Sequence, residues 1–472
     1  MEVPRTGRPV LTMLAVMGGV FLTAFLGSSL NIAIPDIENE FSVPASLIGW
    51  VATAYILTNA AFLLIAGWFG DRYGRILIYL VGLGITTGTT ALAILSKDVT
   101  TLIIIRAVQG VGSALVFANS VAIVSDAFPP ERRGRALGLT IAATYLGLSL
   151  GPVIGGALIH ESGWRSVFLP PLLIGLLSLF ASWRILSAQP AHIPHRTSRV
   201  DCAGSLLSIL APVLFVSGIS ILGRNPTGGI LAILAGILTL FIFILVERAR
   251  PGWRLMDISL FSESRLFSFS CLAALLNYSA TFGGGFLLSV WLQYTRGLAP
   301  HEAGLILVIQ PAIQALLSPL FGHISDRVDK RLLASAGMAL TALAIFWFAI
   351  TTLDDGLTGI MAGLSLSGTG FALFSSPNSN AIMSAVSPPQ YGAASSILAL
   401  ARTAGQLFSM GLVTAGLTLG FGSVKLGDLH PTELSASISL LFTIMGALTV
   451  PGILFSLLRN KGKVQSSPRG NV

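Results

Sequence analysis

Charge is what this sequence has least of. It carries 28 Lys and Arg and 20 Asp and Glu in 472 residues, 10% of the chain, against about 25% in an ordinary soluble domain. A soluble chain of this length divides into two or three domains with polar surfaces, and there is too little charge to coat them. Disorder is excluded as well: 53% of residues are hydrophobic and the mean hydropathy is +0.81, the reverse of a disordered composition. Cysteine is nearly absent. Cys202 and Cys271 each stand near the start of an apolar run in no spaced pattern, which excludes a disulfide framework and a thiolate metal site. The six histidines are scattered, with no His-Glu-x-x-His and no Gly-x-x-x-x-Gly-Lys anywhere. An intramembrane metalloprotease and an ATP-binding loop of that kind are thereby set aside. No Ser/His/Asp set assembles within a membrane, and no metal ligand set or cofactor motif is present, so an enzyme is not expected.

What is there is long apolar runs. Stretches of about 20 apolar residues match a bilayer core, and fourteen occur: 11–34, 46–69, 76–96, 100–125, 136–159, 164–186, 202–222, 227–247, 268–294, 301–321, 332–352, 357–380, 392–419 and 437–458. Arg5 and Arg8 before the first run resemble a signal peptide's start, but the run is too long for one and reads as the first span. Starting from a cytoplasmic N-terminus, alternation puts 21 Lys and Arg in inner segments and 5 in outer ones, with Arg106 and Arg402 inside spans. That asymmetry satisfies the positive-inside rule and sets both termini in the cytoplasm of a plasma (inner) membrane protein. It also accounts for the net charge of +8 without nucleic acid.

The sequence repeats itself. Gly67-Trp68-Phe69-Gly70-Asp71-Arg72 recurs as Gly322-His323-Ile324-Ser325-Asp326-Arg327, an offset of 255, and Arg75 then falls on Lys330. At the same offset Tyr55 falls on Gln310 and Asn59 on Gln314; at 258, Gly134 falls on Gly392 and Gly147 on Gly405. Two six-helix units follow, residues 1–190 and 266–472, with two inserted helices and linkers at 191–265. Duplicated halves are characteristic of transporters, with the substrate held at their interface.

With its motifs in view, the chain resembles the major facilitator superfamily, in particular its fourteen-helix drug:proton antiporter group. Gly67-Trp-Phe-Gly-Asp71-Arg72-Tyr-Gly74-Arg75 is similar to that family's signature loop between helices two and three. Leu102-Ile-Ile-Ile-Arg106-Ala-Val-Gln109-Gly110-Val-Gly112 is similar to its helix-four motif, Gly147-Leu-Ser-Leu-Gly151-Pro152-Val-Ile-Gly155-Gly156 to its helix-five antiporter motif, and Asn31-Ile-Ala-Ile-Pro35 to the end of its helix-one motif. The resemblance covers nearly the whole chain. It implies an all-α polytopic fold of two pseudo-symmetric six-helix bundles plus two inserted helices, fourteen spans in all, working as a monomer by alternating access. Two positions depart from the pattern: Leu26 stands where the family has an acid, and Asp329 where a second glycine is expected.

Physical reading of the motifs gives two groups of residues. For gating, Asp71, Arg72, Gly74 and Arg75 sit on a short turn, where a carboxylate is able to meet a cation or a helix N-terminus of the opposite half. Asp326, Arg327 and Lys330 serve the second half in the same way. Gly151, Pro152 and Gly155 give helix five close packing and a kink. For substrate or coupling, Arg106 and Arg402 lie where a lone guanidinium is costly, with Gln109 and Asn31 near the first and Gln406 one turn from the second. Tyr55 with Asn59 and Gln310 with Gln314 are i,i+4 pairs and repeat equivalents, and Asn119, Tyr145, Gln293 and Asn378 complete the polar lining. Each of these equally suits plain interhelical hydrogen bonding.

All 20 acids fall outside the apolar cores. A proton antiporter ordinarily carries its proton on an embedded carboxylate, and here none is evident; Asp36 is the one acid adjoining a motif at the outer end of helix one. Two buried arginines without buried acids disfavour cationic substrates. The expectation is a secondary exporter of small lipophilic or amphipathic compounds of the multidrug efflux type, neutral or anionic, driven by a proton or other ion gradient, with the lipid bilayer as its other partner. Uptake of a metabolite or lipid is the alternative within transport, and a non-transporting scaffold or sensor the alternative outside it.

Overall fold

The computed structural model describes residues 9–41, 45–186, 201–221, 225–249, 255, 259–298, 300–354, 356–421 and 430–459. Within these, the side chains at 31, 32, 34–36, 38, 39, 45–49, 52, 152, 156, 160, 161, 202, 220, 259, 300, 301, 352–354, 414 and 418–421 lie outside the description. Helix is the only regular structure among the described residues. That follows from the composition, because an apolar run in hydrocarbon has to satisfy its own backbone hydrogen bonds.

Fourteen helical units follow in order. The first six are α1 (Pro9–Phe41), α2 (Ala45–Tyr73), α3 (Arg75–Ile94), α4 (Val99–Ala127), α5 (Pro130–Ser162) and α6 (Leu169–Leu186). The inserted pair is α7 (Cys202–Ile221) and α8 (Pro226–Ala249). The last six are α9 (Arg265–Val290), α10 in two pieces (Pro300–Leu307 and Ile309–Ser325), α11 (Lys330–Asp354), α12 (Leu357–Ser384), α13 (Tyr391–Phe421) and α14 (Pro431–Leu457). Among the described residues thirteen stretches are long and apolar enough to cross a bilayer; α7 contributes a shorter apolar stretch, Ala203–Ile219. The chain is an integral, multi-pass membrane protein.

Three local differences from the sequence reading have clear causes. Helix α1 runs on to Phe41, so Asp36, Glu38 and Glu40 sit on the helix beyond its apolar part rather than in a loop. The signature turn shrinks to Gly74 alone, whose φ of 104° lies where a side chain is disfavoured. Asp71 and Arg72 therefore belong to the last turn of α2. Helix α10 breaks at Val308, because Pro311 cannot donate to the carbonyl four residues back.

Packing gathers the helices into two groups. Helices α1, α2, α3, α4, α5 and α6 pack among themselves, as do α9, α11, α12, α13 and α14 with α10. The two groups meet along α5 with α10 and α12, and along α13 with α2 and α4. Helix α8 packs on α7, and α7 on α2 and α13.

Candidate functional site

At one end of the molecule the two halves are joined by a pair of matching clasps. In the first, the last turn of α2 presents Asp71 to the start of α13, and the Ala393 N–H donates to Asp71 Oδ2 at 3.0 Å. Arg75 opens α3 and binds Asp71 through Nε (2.9 Å) and Nη2 (2.8 Å), and Asp126 at the end of α4 through Nη1 (2.5 Å). Its Nη2 also donates to the carbonyls of Pro388 and Pro389, both at 3.1 Å, in the opposite half. In the second clasp, Asp326 follows α10 and accepts from the N–H groups of Gly134 (2.7 Å) and Arg135 (3.1 Å) in the first turns of α5. A carboxylate at a helix N-terminus is favourable through both the hydrogen bonds and the helix dipole. The sequence permits this because Gly134 and Gly392 lack side chains: a Cβ on either would strike the carboxylate oxygens of the facing Asp. The repeat spacing that pairs these two glycines has its physical meaning here.

The clasps are not identical. Asp71 sits in a fork of Arg75, whereas Asp326 is held by Asn380 Nδ2 at 3.2 Å, with Lys330 nearby. Burial raises the Asp326 carboxyl above its ordinary value, against the pull of the two backbone N–H groups, Lys330 and Asn380. The sign follows: this carboxyl holds its proton more tightly in the clasp than in water. Acidification through the window just above the usual Asp range therefore favours the clasped arrangement. A neutral amide at 326 keeps an acceptor without the desolvation cost. Asp71→Asn, in contrast, takes a charge from the buried Arg75. Initial transport rates are expected to fall roughly tenfold or more for Asp71→Asn and by less than about threefold for Asp326→Asn; equal losses would contradict the asymmetry. Arg72 lies over the rings of Trp68 (5.2 Å) and Tyr73 (5.6 Å), and Arg327 is exposed.

Midway between the halves, Ile141 and Tyr145 of α5, Tyr278 of α9, Ala315 of α10 and Phe371 of α12 form one buried cluster. The ring of Phe371 stands edge-on to both tyrosines, at 5.0 Å from Tyr278 and 5.9 Å from Tyr145. The two hydroxyls are 3.4 Å apart. Arg402 of α13 reaches over Tyr278 (5.8 Å), and its Nη2 donates to Ser379 Oγ at 2.9 Å. Several buried polar atoms on these helices have no hydrogen-bond partner among the described residues: Arg402 Nε, Gln314 Oε1 and both polar side-chain atoms of Asn277. Each such atom costs about 1–3 kcal/mol, a cost that a ligand supplying partners would relieve. No described carboxylate lies nearer mid-helix than the terminal turns.

The structure does not bring the two expected i,i+4 pairs to one site. The Tyr55 hydroxyl donates to Thr23 O (2.8 Å) and lies 2.9 Å from the Ser113 hydroxyl, to which Asn59 Nδ2 donates (3.0 Å), inside the first bundle. Arg106 belongs to the same knot. Its donors reach Val51 O (3.1 Å), Gln109 Oε1 (2.5 Å) and Leu26 O (3.4 Å), and it stacks on Tyr55 at 4.3 Å. Gln109 passes the chain on to Thr90 Oγ1 at 2.8 Å, and Asn119 ties α4 to Ala66 O of α2 at 3.3 Å. A polar group in a membrane bundle takes the nearest carbonyl or hydroxyl, and α1, α2, α3 and α4 supply enough of them. Gly147, Gly151 and Gly155 set α5 close against Phe21, Phe25, Ser28 and Ser29 of α1, within one half. Gln293 donates to Ser289 one turn back (2.9 Å), and Asn378 to Ser270 O of α9 (3.1 Å). Gln310 and Gln406 are half-buried on α10 and α13. The side chains of Asn31, Asp36 and Pro152 lie outside the described residues. Asp126 and Ser379 were missed: an acid 51 residues from Arg75 and a serine among many give no local signal.

Two six-helix bundles joined by paired clasps around a central cluster are an architecture of membrane transporters. Residues 16–263 and 270–471 match the Major Facilitator Superfamily, and the chain belongs to that family. It is 31% identical over 394 residues to the riboflavin transporter RibZ of Clostridioides difficile, covering 83% of this chain and 84% of that protein. It is 30% identical over 414 residues to the multidrug resistance protein Stp of Mycobacterium tuberculosis, with 87% and 76% covered. It is 32% identical over 355 residues to the methylenomycin A resistance protein of Bacillus subtilis, with 74% of each covered. Among solved structures, the human organic anion transporter MFSD10 superposes with a TM-score of 0.62 at 16% identity, covering 93% of this chain and 98% of that one. The proton:xylose symporter XylE gives 0.65 at 15% identity, covering 95% and 94%. At such identities these two speak to the fold alone.

Proposed function

We propose that the protein exports small lipophilic compounds, neutral or anionic, by alternating access, with both termini and the clasped end in the cytoplasm. The observation that carries the reading is the central cluster. Tyr145, Tyr278 and Phe371 offer apolar ring surface, and Arg402 supplies the one side-chain charge beside it among the described residues. An aromatic wall with a lone guanidinium suits a flat apolar molecule, and an anionic one better than a cationic one. Resistance and export names recur among the relatives, which supports export of toxic compounds. The clasps, in this reading, hold the cytoplasmic side shut and open as the halves rock, with an ion gradient supplying the drive.

The test is counterflow and export in proteoliposomes, with and without a pH gradient, using neutral, anionic and permanently dicationic compounds of similar size. Neutral and anionic compounds are expected to move, with a pH gradient speeding export. Arg402→Gln is expected to slow anionic substrates by roughly tenfold, the worth of one charge-assisted hydrogen bond, and to spare neutral ones. Robust proton-driven export of dications would overturn the reading. Riboflavin belongs in the panel, because a riboflavin transporter is among the similar proteins. Transport of riboflavin alone would assign the site to a single metabolite instead.

A further inference from the structure

The inserted helices enclose something that the alternating-access site does not use. Between them and the line where the halves meet lies a chamber of about 380 Å³, within the range of ligand pockets. Six helices wall it: α2 with Ala61, α7 with Pro212, α8 with Phe243, α9 with Leu276, α13 with Ala404 and α14 with Leu448. Its lining is apolar apart from Ser208 and Ser279, and both hydroxyls are turned back onto their own helices. Ser208 Oγ donates to Ser205 O at 2.9 Å and Ser279 Oγ to Leu275 O at 2.8 Å. Neither hydroxyl proton is therefore free for a guest, and a wall this nearly apolar gives water little to bind.

Its opening is also visible. Ile237 and Leu240 line the chamber and are 52% and 48% exposed, each adjoining an exposed residue one turn on, Phe241 and Ile244. In a span, that exposed apolar face is the one bathed by lipid tails. The chamber is thus a side pocket of the bilayer, at bilayer depth, with no polar threshold. Left empty, its walls forfeit their dispersion contacts. A hydrocarbon chain fills it, with room for about a dozen methylene groups at roughly 30 Å³ each, close to the volume a water molecule takes in the liquid.

We propose that this chamber is a lipid site: one acyl chain of a bilayer phospholipid inserts between α7 and α8 and lies against the α2–α13 line of contact between the halves. This gives the inserted pair a role. Helices α7 and α8 hold a lipid tail where a twelve-helix arrangement would leave α2 and α13 facing the bilayer directly.

The experiment uses the full chain in vesicles of palmitoyl-oleoyl phosphatidylcholine doped with the same lipid carrying a terminal acyl diazirine. After irradiation, adducts are mapped by mass spectrometry. Adducts are expected on the inward residues 275–279 of α9 and on Ala404 and Leu407, besides those on the outer face of α8. Ala211→Phe and Ala404→Phe, on two different helices, fill the chamber and are expected to lose the α9 adducts while keeping those on α8. The α8 adducts report that the variants are folded and inserted. Adducts confined to outer faces in the unaltered chain, or unchanged on α9 in both filled variants, would overturn the proposal. Displacement of the α9 adducts by an exported compound would also overturn it, by giving the chamber to substrate.

Discussion

Gly134→Ala is expected to cut transport severely while leaving the protein in the membrane at ordinary levels. The added Cβ would stand 2.5 Å from the Gly322 carbonyl oxygen and 2.5 Å from Asp326 Oδ1, far inside van der Waals contact. Gly322 stands in the reciprocal position, where its own Cβ would strike the Gly134 carbonyl. Here α5 and α10 cross backbone on backbone, as small residues allow in membranes. One methyl group therefore forces the halves apart at the clasped end and pulls Gly134 N–H from Asp326. Helix propensity acts the other way, since Gly→Ala within a helix gains about 1 kcal/mol, so a loss of rate cannot be assigned to weakened α5. Initial rates in proteoliposomes are expected to fall by at least about tenfold, more than 1.4 kcal/mol in the closing equilibrium. Gly84→Ala and Gly88→Ala, where a Cβ meets nothing within 4 Å, are the matched controls and are expected to transport normally. A Gly134→Ala protein with ordinary rates would mean that this contact does not belong to the transport cycle.

Arg75→Ala is expected to be nearly as severe for a different reason. Its guanidinium is 2% exposed and spans Asp71 and Asp126, themselves 25% and 22% exposed. Removing one member of a buried ion pair costs about 3–5 kcal/mol through the charge left behind. The partial exposure of both acids puts this case toward the lower figure. Even that shifts the balance between clasped and unclasped forms by roughly a hundredfold. Transport is expected to drop accordingly, with the protein still inserted. Arg75→Lys is expected to recover part of the loss, since Lys330 holds the equivalent place in the second half, but without the fork that reaches two carboxylates and two carbonyls. Arg75→Ala with Asp126→Ala is expected to outperform Arg75→Ala alone, because the second change removes one of the two stranded charges. A double mutant no better than the single one would mean that Arg75 acts by contacts other than this pair.

The fold was largely legible because hydrocarbon leaves a chain few choices. Runs of apolar residues had to become helices, and Asp71 matched to Asp326 with Gly134 matched to Gly392 disclosed the two halves. The clasps were legible in part. An Asp on a tight turn pointed to a cation or a helix N-terminus of the opposite half, but not to the facing glycine whose missing side chain lets the carboxylate in. The central site was the least legible. Tyr145 and Arg402 read as polar residues inside spans, and so did Tyr55, Asn59 and Arg106. Sequence gives depth along a helix but not which neighbour a side chain meets. Ser113 and the Val51 carbonyl took the second group into the first bundle, while Arg402 met Ser379 and the Tyr278 ring beside the central cluster.

Both clasps stand at the same end, and each grips the opposite half from its own side. In the proposed cycle the cytoplasmic side opens only when both let go, so chance openings of the two multiply and a spontaneous leak of ions is rarer than either fluctuation alone. A pair of fasteners would thus guard the membrane's gradients better than one placed off-centre.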